Sequence, residues 1–144
     1  MKATDYKLIV APNYSPIESF ENEELYRHGI FEWNISRIIK YIAKNECNIL
    51  HSVIAVEKEF PSGSLNPSHV DSVDLSIPII QAEIIPGTFI VIDGHHRIAK
   101  ARKNRVPQLK SYKLTVAQHI LFFTSMKSYI AFVEYWNSKA HDMR

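Results

Sequence analysis

The sequence predicts an α+β fold in a single domain, with a β-sheet flanked by helices. Three observations predict it. Runs of β-branched residues of strand length recur along the chain, among segments with helical periodicity. Two of these runs, in "DLSIPIIQAEIIPGTFIVIDG", are joined by Pro86-Gly87, a turn dipeptide, and not by a crossover helix. The length of 144 residues suits one core of ordinary size, so residues 1–144 are read as one domain.

The elements follow in order. "YKLIVA", 6–11, reads as a strand ended by Pro12. "NEELYRHG" reads as a short helix stopped by Gly29. In "NISRIIKYIAKN", Asn34 is a candidate N-cap, and Ile35, Ile38, Ile39 and Ile42 fall on one buried face. Cys47 follows this helix and is expected to be a buried structural thiol. "LHSVIAVEKEF", 50–60, reads as a strand, and "PSGSLNPS", 61–68, as a loop.

Residues 77–85 and 88–92 then form a hairpin-like antiparallel pair, with 88–92 expected to be an internal strand. A helix should start near His95 and run to about Asn104, ahead of Pro107. "QLKSYKL" reads as a further strand. In "TVAQ", Thr115 can cap and Gln118 can reach back, which opens a helical segment over 115–138. Thr124-Ser125 is a candidate break within it, and its aromatic residues read as core.

Composition narrows the function classes. The longest apolar runs, such as "ILFF", are far too short to span a bilayer. The first residues carry only a short apolar patch, too short for a signal-peptide core. The single cysteine excludes an internal disulfide, and a cytoplasmic location is expected. Net charge is +2, but residues 93–113 alone hold seven Lys or Arg and one acid. A local basic field attracts phosphate, on a nucleotide or on a nucleic acid.

That field begins at "VIDGHHRIAKARKN", 91–104. A strand runs into an Asp-Gly turn, and a helix leaves it. The first N–H groups of a helix lack internal partners, and the dipole makes that end positive. Such a junction binds anions. Gly94 permits a tight turn and close approach of a ligand. Arg97 offers a planar fork for phosphate. His95 and His96 add donors that titrate near neutrality. His96, Lys100 and Lys103 are spaced to form one basic stripe along the helix. The plainer alternative is that Asp93 only shapes the turn and the histidines cap the surface. No zinc-ligand spacing, Walker loop or Gly-x-Ser-x-Gly elbow is present in the sequence.

Residues 74–114, and "IDGHHR" with the later "VPQL" in particular, resemble the ParB N-terminal and sulfiredoxin-like superfamily. The resemblance implies a mixed β-sheet with flanking helices, and a turn that holds nucleotide phosphates. In ParB-like members the turn reads Gly-Glu-Arg-Arg and binds CTP. In sulfiredoxins it reads Gly-Cys-His-Arg, and the Cys is the nucleophile. Here positions 94–97 are Gly-His-His-Arg. The Asp-Gly-His-His-Arg form is most similar to the free-serine kinase branch, which phosphorylates a small hydroxyl substrate. With His95 in place of the thiol, no sulfinic reductase activity is expected.

The resemblance implies that Gly94, His95, His96, Arg97 and Lys100 bind ATP, ADP or another nucleotide, with Mg²⁺ expected alongside it. Asp93 and His96 are the candidate catalytic residues. The branch also needs a catalytic Glu, for which Glu18, Glu57 and Glu83 are candidates. No protein ligand set for a resident metal is predicted. His95 is expected beside the phosphates with a raised pKa, so that affinity falls as pH rises from about 6 to 8. Two other functions are kept open. One is a non-catalytic interaction or immunity-type protein, with the acidic stretch 18–24 as a contact surface for a protein partner. The other is a nucleic-acid-binding module using the basic segment.

Overall fold

The computed structural model describes residues 6–59 and 65–142. Predicted loop residues 61–64 lie outside them. Among the described residues the chain forms two sheets and five helices. A two-stranded antiparallel ribbon pairs β1 (Leu25–His28) with β2 (Phe31–Asn34). A four-stranded mixed sheet has the order β3-β6-β4-β5, from β3 (Leu50–Ala55), β4 (Ile79–Ile85), β5 (Thr88–Asp93) and β6 (Gln108–Leu114). The helices are α1 (Ile35–Lys44), α2 (Pro67–Ser72), α3 (His95–Lys103), α4 (Val116–His119) and α5 (Met126–Asp142). This is the α+β single domain with a mixed sheet and flanking helices that the sequence predicts.

Apolar clusters cover both faces of the large sheet. One packs Ile80, Ala82, Ile92 and Leu114 against α1, α5 and the fully buried Trp33, Phe123 and Phe132. The other sets Ile79, Val91 and Leu109 against Ile98 and Ala101 of α3. Antiparallel β4–β5 pairing holds as predicted, while β4 runs parallel to β6. β4 is therefore internal. β5 lies at the edge of the sheet, contrary to the expectation for 88–92, because β6 takes the other side of β4.

Several elements differ from their sequence assignments. Residues 6–11 are not a strand. Their backbone is bonded by side chains of α5 in place of a neighbouring strand: Asn137 brackets Leu8, and the Tyr129 hydroxyl accepts from Ala11 N at 2.8 Å. The predicted helix over "NEELYRHG" is strand β1. Gly29, at φ 60°, turns the chain so that His28 pairs with Phe31, and a hairpin replaces the helix stop. β3 ends at Ala55, short of the predicted 60. Its partner β6 is preceded by Pro107, which has no N–H to extend the ladder. Residues 67 and 68, assigned to a loop, open α2. Asn66 caps it and Pro67 takes the first position, a start signal present in the sequence.

Other details match. Asn34 caps α1, accepting from Arg37 N at 3.0 Å, and the Thr115–Gln118 capping box forms. Thr124 and Ser125 separate the last two helical stretches. Cys47 is not buried; it is exposed in a 3₁₀ turn, Glu46–Asn48, after α1. Ile39 departs from its helix's buried face and is 47% exposed. None of the described helices is long and apolar enough to cross a membrane.

Candidate functional site

The turn from β5 into α3 opens on a cleft of about 460 Å³. α1 forms one wall through Ile39 and Ile42. The segment from α2 to β4 contributes Val73, Asp74, Ile77 and Pro78. The polar groups at its end include Asp93, Gly94, His96 and Arg97. The strand shift between Ile80 and Gln81 leaves Ile80 opposite Asp93, and both line the cleft.

Gly94 is the N-cap of α3, with φ 116°. A Cβ there would lie 2.8 Å from Ile79 Cβ and 3.1 Å from Arg97 Nη2, so the position needs glycine on two counts. The first helical bond runs from Ile98 N to Gly94 O at 3.0 Å. The N–H groups of residues 95–97 precede it, and a helix gives such groups no internal acceptor.

Arg97 and Asp93 form an ion pair one helical turn apart. Arg97 Nη2 donates to Asp93 Oδ2 at 3.0 Å, and both side chains are largely covered. The same nitrogen reaches Pro78 O at 3.5 Å. Arg97 Nε is buried with no hydrogen-bond partner. Asp93 thus orients a guanidinium that still has donor capacity.

His96 lies edge-on to His69 of α2, with ring centroids 4.4 Å apart. Its Nε2 accepts from Asn66 N at 3.4 Å. Burial holds its pKa below the usual value, and His69 and Arg97 add to that, against the pull of Asp93. It is neutral at pH 7, able to accept or donate.

The other predicted ligands lie elsewhere. His95 does not line the cleft. Its ring stacks on Tyr26 of β1, with centroids 5.2 Å apart. Burial lowers its pKa, opposed by a bond to the Val91 carbonyl and by Asp93, so the expected rise is reversed. The reason is topological: neighbouring residues of a helix project about 100° apart, and Tyr26 of the β1–β2 ribbon covers His95 while His96 meets His69 of α2. Lys100 is turned to α2, where its Nζ donates to Val73 O at 2.7 Å. Lys103 pairs with Asp71 at 2.9 Å. The stripe His96, Lys100, Lys103 is therefore a seam between α3 and α2.

The candidate glutamates also lie elsewhere. Glu83 accepts from Gly87 N and Val116 N. Glu18 lines a separate polar hollow with Arg27 and Lys127, and Glu57 a shallow one with Arg102 and Arg105. The glutamate that does line the cleft is Glu24. Its backbone is locked to the start of α1: its carbonyl accepts from Ile35 N at 2.8 Å, and its N–H donates to Ser36 Oγ at 2.8 Å. Partial loss of water pushes its carboxyl above the usual range, and Asp93 adds to this, against Arg97 and His69. Nothing in "ENEE" separates Glu24 from its neighbours. The missing signal was the β1–β2 hairpin, which folds the acidic stretch back onto α1.

Glu23 of the same stretch is committed elsewhere, to Arg37 at 2.6 Å and to Asn34. Asp74 is held ionised by two bonds from Ser76. Among the described residues no cluster of three or more His, Cys, Asp or Glu side chains could hold a metal ion. Three carboxylates, Glu24, Asp74 and Asp93, line one cleft, and Ser76 holds one oxygen of Asp74. That fits an ion of the Mg²⁺ kind, which takes one or two carboxylates and completes its shell with substrate phosphates.

The cleft can thus neutralise an anion at one end and hold a carboxylate base nearby. Comparison of the chain with family models, curated proteins and solved structures finds no match.

Proposed function

We propose that this chain binds a nucleotide at the Gly94 turn and acts as a small-molecule phosphotransferase, as its resemblance to the ParB and sulfiredoxin-like superfamily implies. The observation that carries this reading is the shared cleft, in which Gly94, His96 and Arg97 face the same space as Glu24. Anion donors and a carboxylate of raised pKa are the two parts that transfer to a hydroxyl needs.

In this mechanism the N–H groups of the first turn of α3 and the Arg97 guanidinium bind the terminal phosphates. They stabilise charge as the phosphoryl group moves. His96 donates to a phosphate oxygen. Glu24 orients the acceptor hydroxyl and takes its proton. The acceptor oxygen attacks the terminal phosphorus, the bridging P–O bond breaks, and the nucleotide leaves one phosphate shorter. Asp93 holds the Arg97 fork in place. Mg²⁺, carried with the nucleotide, would be held partly by Asp93 and would neutralise phosphate charge.

We place the protein in the cytoplasm, where an exposed thiol such as Cys47 stays reduced. The turn of Lys100 and Lys103 toward α2 favours a compact ligand over a nucleic-acid backbone.

Calorimetry with ATP, ADP and CTP, with and without Mg²⁺, tests the binding. Arg97→Ala should weaken it by about 1.5–3 kcal/mol, roughly ten- to a hundredfold. Glu24→Gln should leave binding within about threefold and lower phosphoryl transfer by about 10²-fold or more. Absence of nucleotide binding by the wild type would end this reading.

A further inference from the structure

The four-stranded sheet has two edges, and the chain treats them differently. At one edge β5 ends in Asp93, its register against β4 shifts twice, and β1 of the ribbon lies in contact with it. Charge, irregular register and cover are devices that keep an edge strand from pairing with another chain. At the other edge β3 has none of them. Its six residues, Leu50–Ala55, include no Lys, Arg, Asp, Glu or Pro. They pair with β6 in unbroken antiparallel register, from Leu50↔Lys113 to Ala55↔Gln108. Among the described residues no strand lies beyond β3.

Alternate residues of an antiparallel strand direct their N–H and C=O groups to opposite sides. Half of the β3 residues therefore turn these groups away from β6. One carbonyl has a local donor: Val53 O accepts from Ser52 Oγ at 3.3 Å, and a carbonyl can accept twice. Apolar surface adjoins this open backbone, since Leu50 and Val53 are 52% and 56% exposed.

We infer that β3 is an interface between two copies of this chain, which pair β3 with β3 antiparallel about a two-fold axis. Each copy offers the other the same alternation of donors and acceptors, so one contact closes both open edges. The composition of β3 favours a second copy as the occupant. A charged peptide would find no opposite charge on β3, whereas β3 meets itself without like-charge repulsion. The two four-stranded sheets then join into one. The two-fold axis runs normal to the sheet, reversing strand direction and leaving each face on its own side. Both clefts would therefore lie on the same face of the joined sheet. The joint is also near them, because His51 of β3 meets Tyr112 of the cleft, with ring centroids 5.1 Å apart. Six paired residues make a small contact, so a dissociation constant of about 1–100 µM is expected.

Sedimentation of the whole chain at about 1 to 500 µM tests this, with a reversible monomer–dimer equilibrium expected. Val53→Lys and Leu50→Lys each place a charge at an exposed position of the edge, and each should weaken the dimer at least about tenfold. Thr88→Lys, exposed on the opposite edge strand, should leave it within about twofold. Hydrogen exchange of the wild type, compared at the two ends of the concentration range, should show added protection in residues 50–55. This second measurement decides the matter if the Lys variants do not fold. A wild type that stays monomeric throughout overturns the inference. A dimer of unchanged affinity in both folded Lys variants, or protection that rises only outside residues 50–55, overturns it too.

Discussion

Gly94 concentrates the demands of the site on one backbone position. Its φ of 116° is foreign to side-chain-bearing residues, and Ile79 fills the space a Cβ would take. Gly94→Ala should therefore cost about 2–4 kcal/mol, combining backbone strain with overpacking. Urea denaturation would measure it. A cost below about 1 kcal/mol would show that the turn relaxes freely. His119 makes a different demand. It is fully buried, accepts from Trp33 Nε1 at 3.1 Å, and holds Glu83 O at 2.6 Å. Burial lowers its pKa from 6.5 to about 4. Below pH 6.5 the unfolded chain takes up a proton that the folded chain refuses. The stability due to the neutral ring is thus complete above pH 6.5 and declines as pH falls toward 4, by about 3 kcal/mol in all. Unfolding free energies at pH 7, 5.5 and 4.5 should trace this decline, and His119→Gln should reduce its slope. An equal slope in the variant would assign the acid sensitivity to other groups.

Among the elements, α2 is the short helix of six residues that depends on its neighbour α3. Their contacts are unequal. Lys103 and Asp71 form a pair with both side chains mostly in water, worth at most about 1 kcal/mol. Lys100 caps the Val73 carbonyl from a half-buried position. Lys100→Ala should speed amide exchange in 67–73 by about fivefold or more, and Lys103→Ala by far less. Hydrogen exchange read by mass spectrometry distinguishes them. This is also where sequence legibility has its limits. The strands β4, β5 and β6 and helix α3 were readable, since β-branched runs and turn residues act within a few positions. Glu24 and the orientation of His95 were not. Each depends on the β1–β2 ribbon, whose formation is decided by packing on Trp33 and Phe123 and not by local propensity. The basic stripe was correctly spaced on α3, but periodicity does not say which neighbour a face meets.

At the scale of the molecule, the sheet separates two cores of different sizes. The larger holds Phe123 in ring contact with both Trp33 and Phe132, with centroids 5.3 and 5.2 Å apart. The smaller seats α3, and with it the Gly94 turn. Phe132→Ala should cost about 3–5 kcal/mol, enough to threaten folding. Ile98→Val in the smaller core should cost about 1 kcal/mol, yet loosen the helix that presents Arg97. Thermal unfolding of both, beside their nucleotide affinities, should separate the cores: Ile98→Val shifts affinity more per unit of stability lost. Equal shifts would mean that the sheet transmits strain between its faces.

The exposed turn that carries Cys47 has a practical consequence. It is the only cysteine in the chain, and its neighbour Glu46 accepts from the Tyr112 hydroxyl at 3.3 Å, on a ring that lines the cleft. A maleimide fluorophore would attach at this one position without mutagenesis. It would sit beside the Glu46–Tyr112 bond that leads to the cleft, so the native chain is its own single-site optical reporter of occupancy.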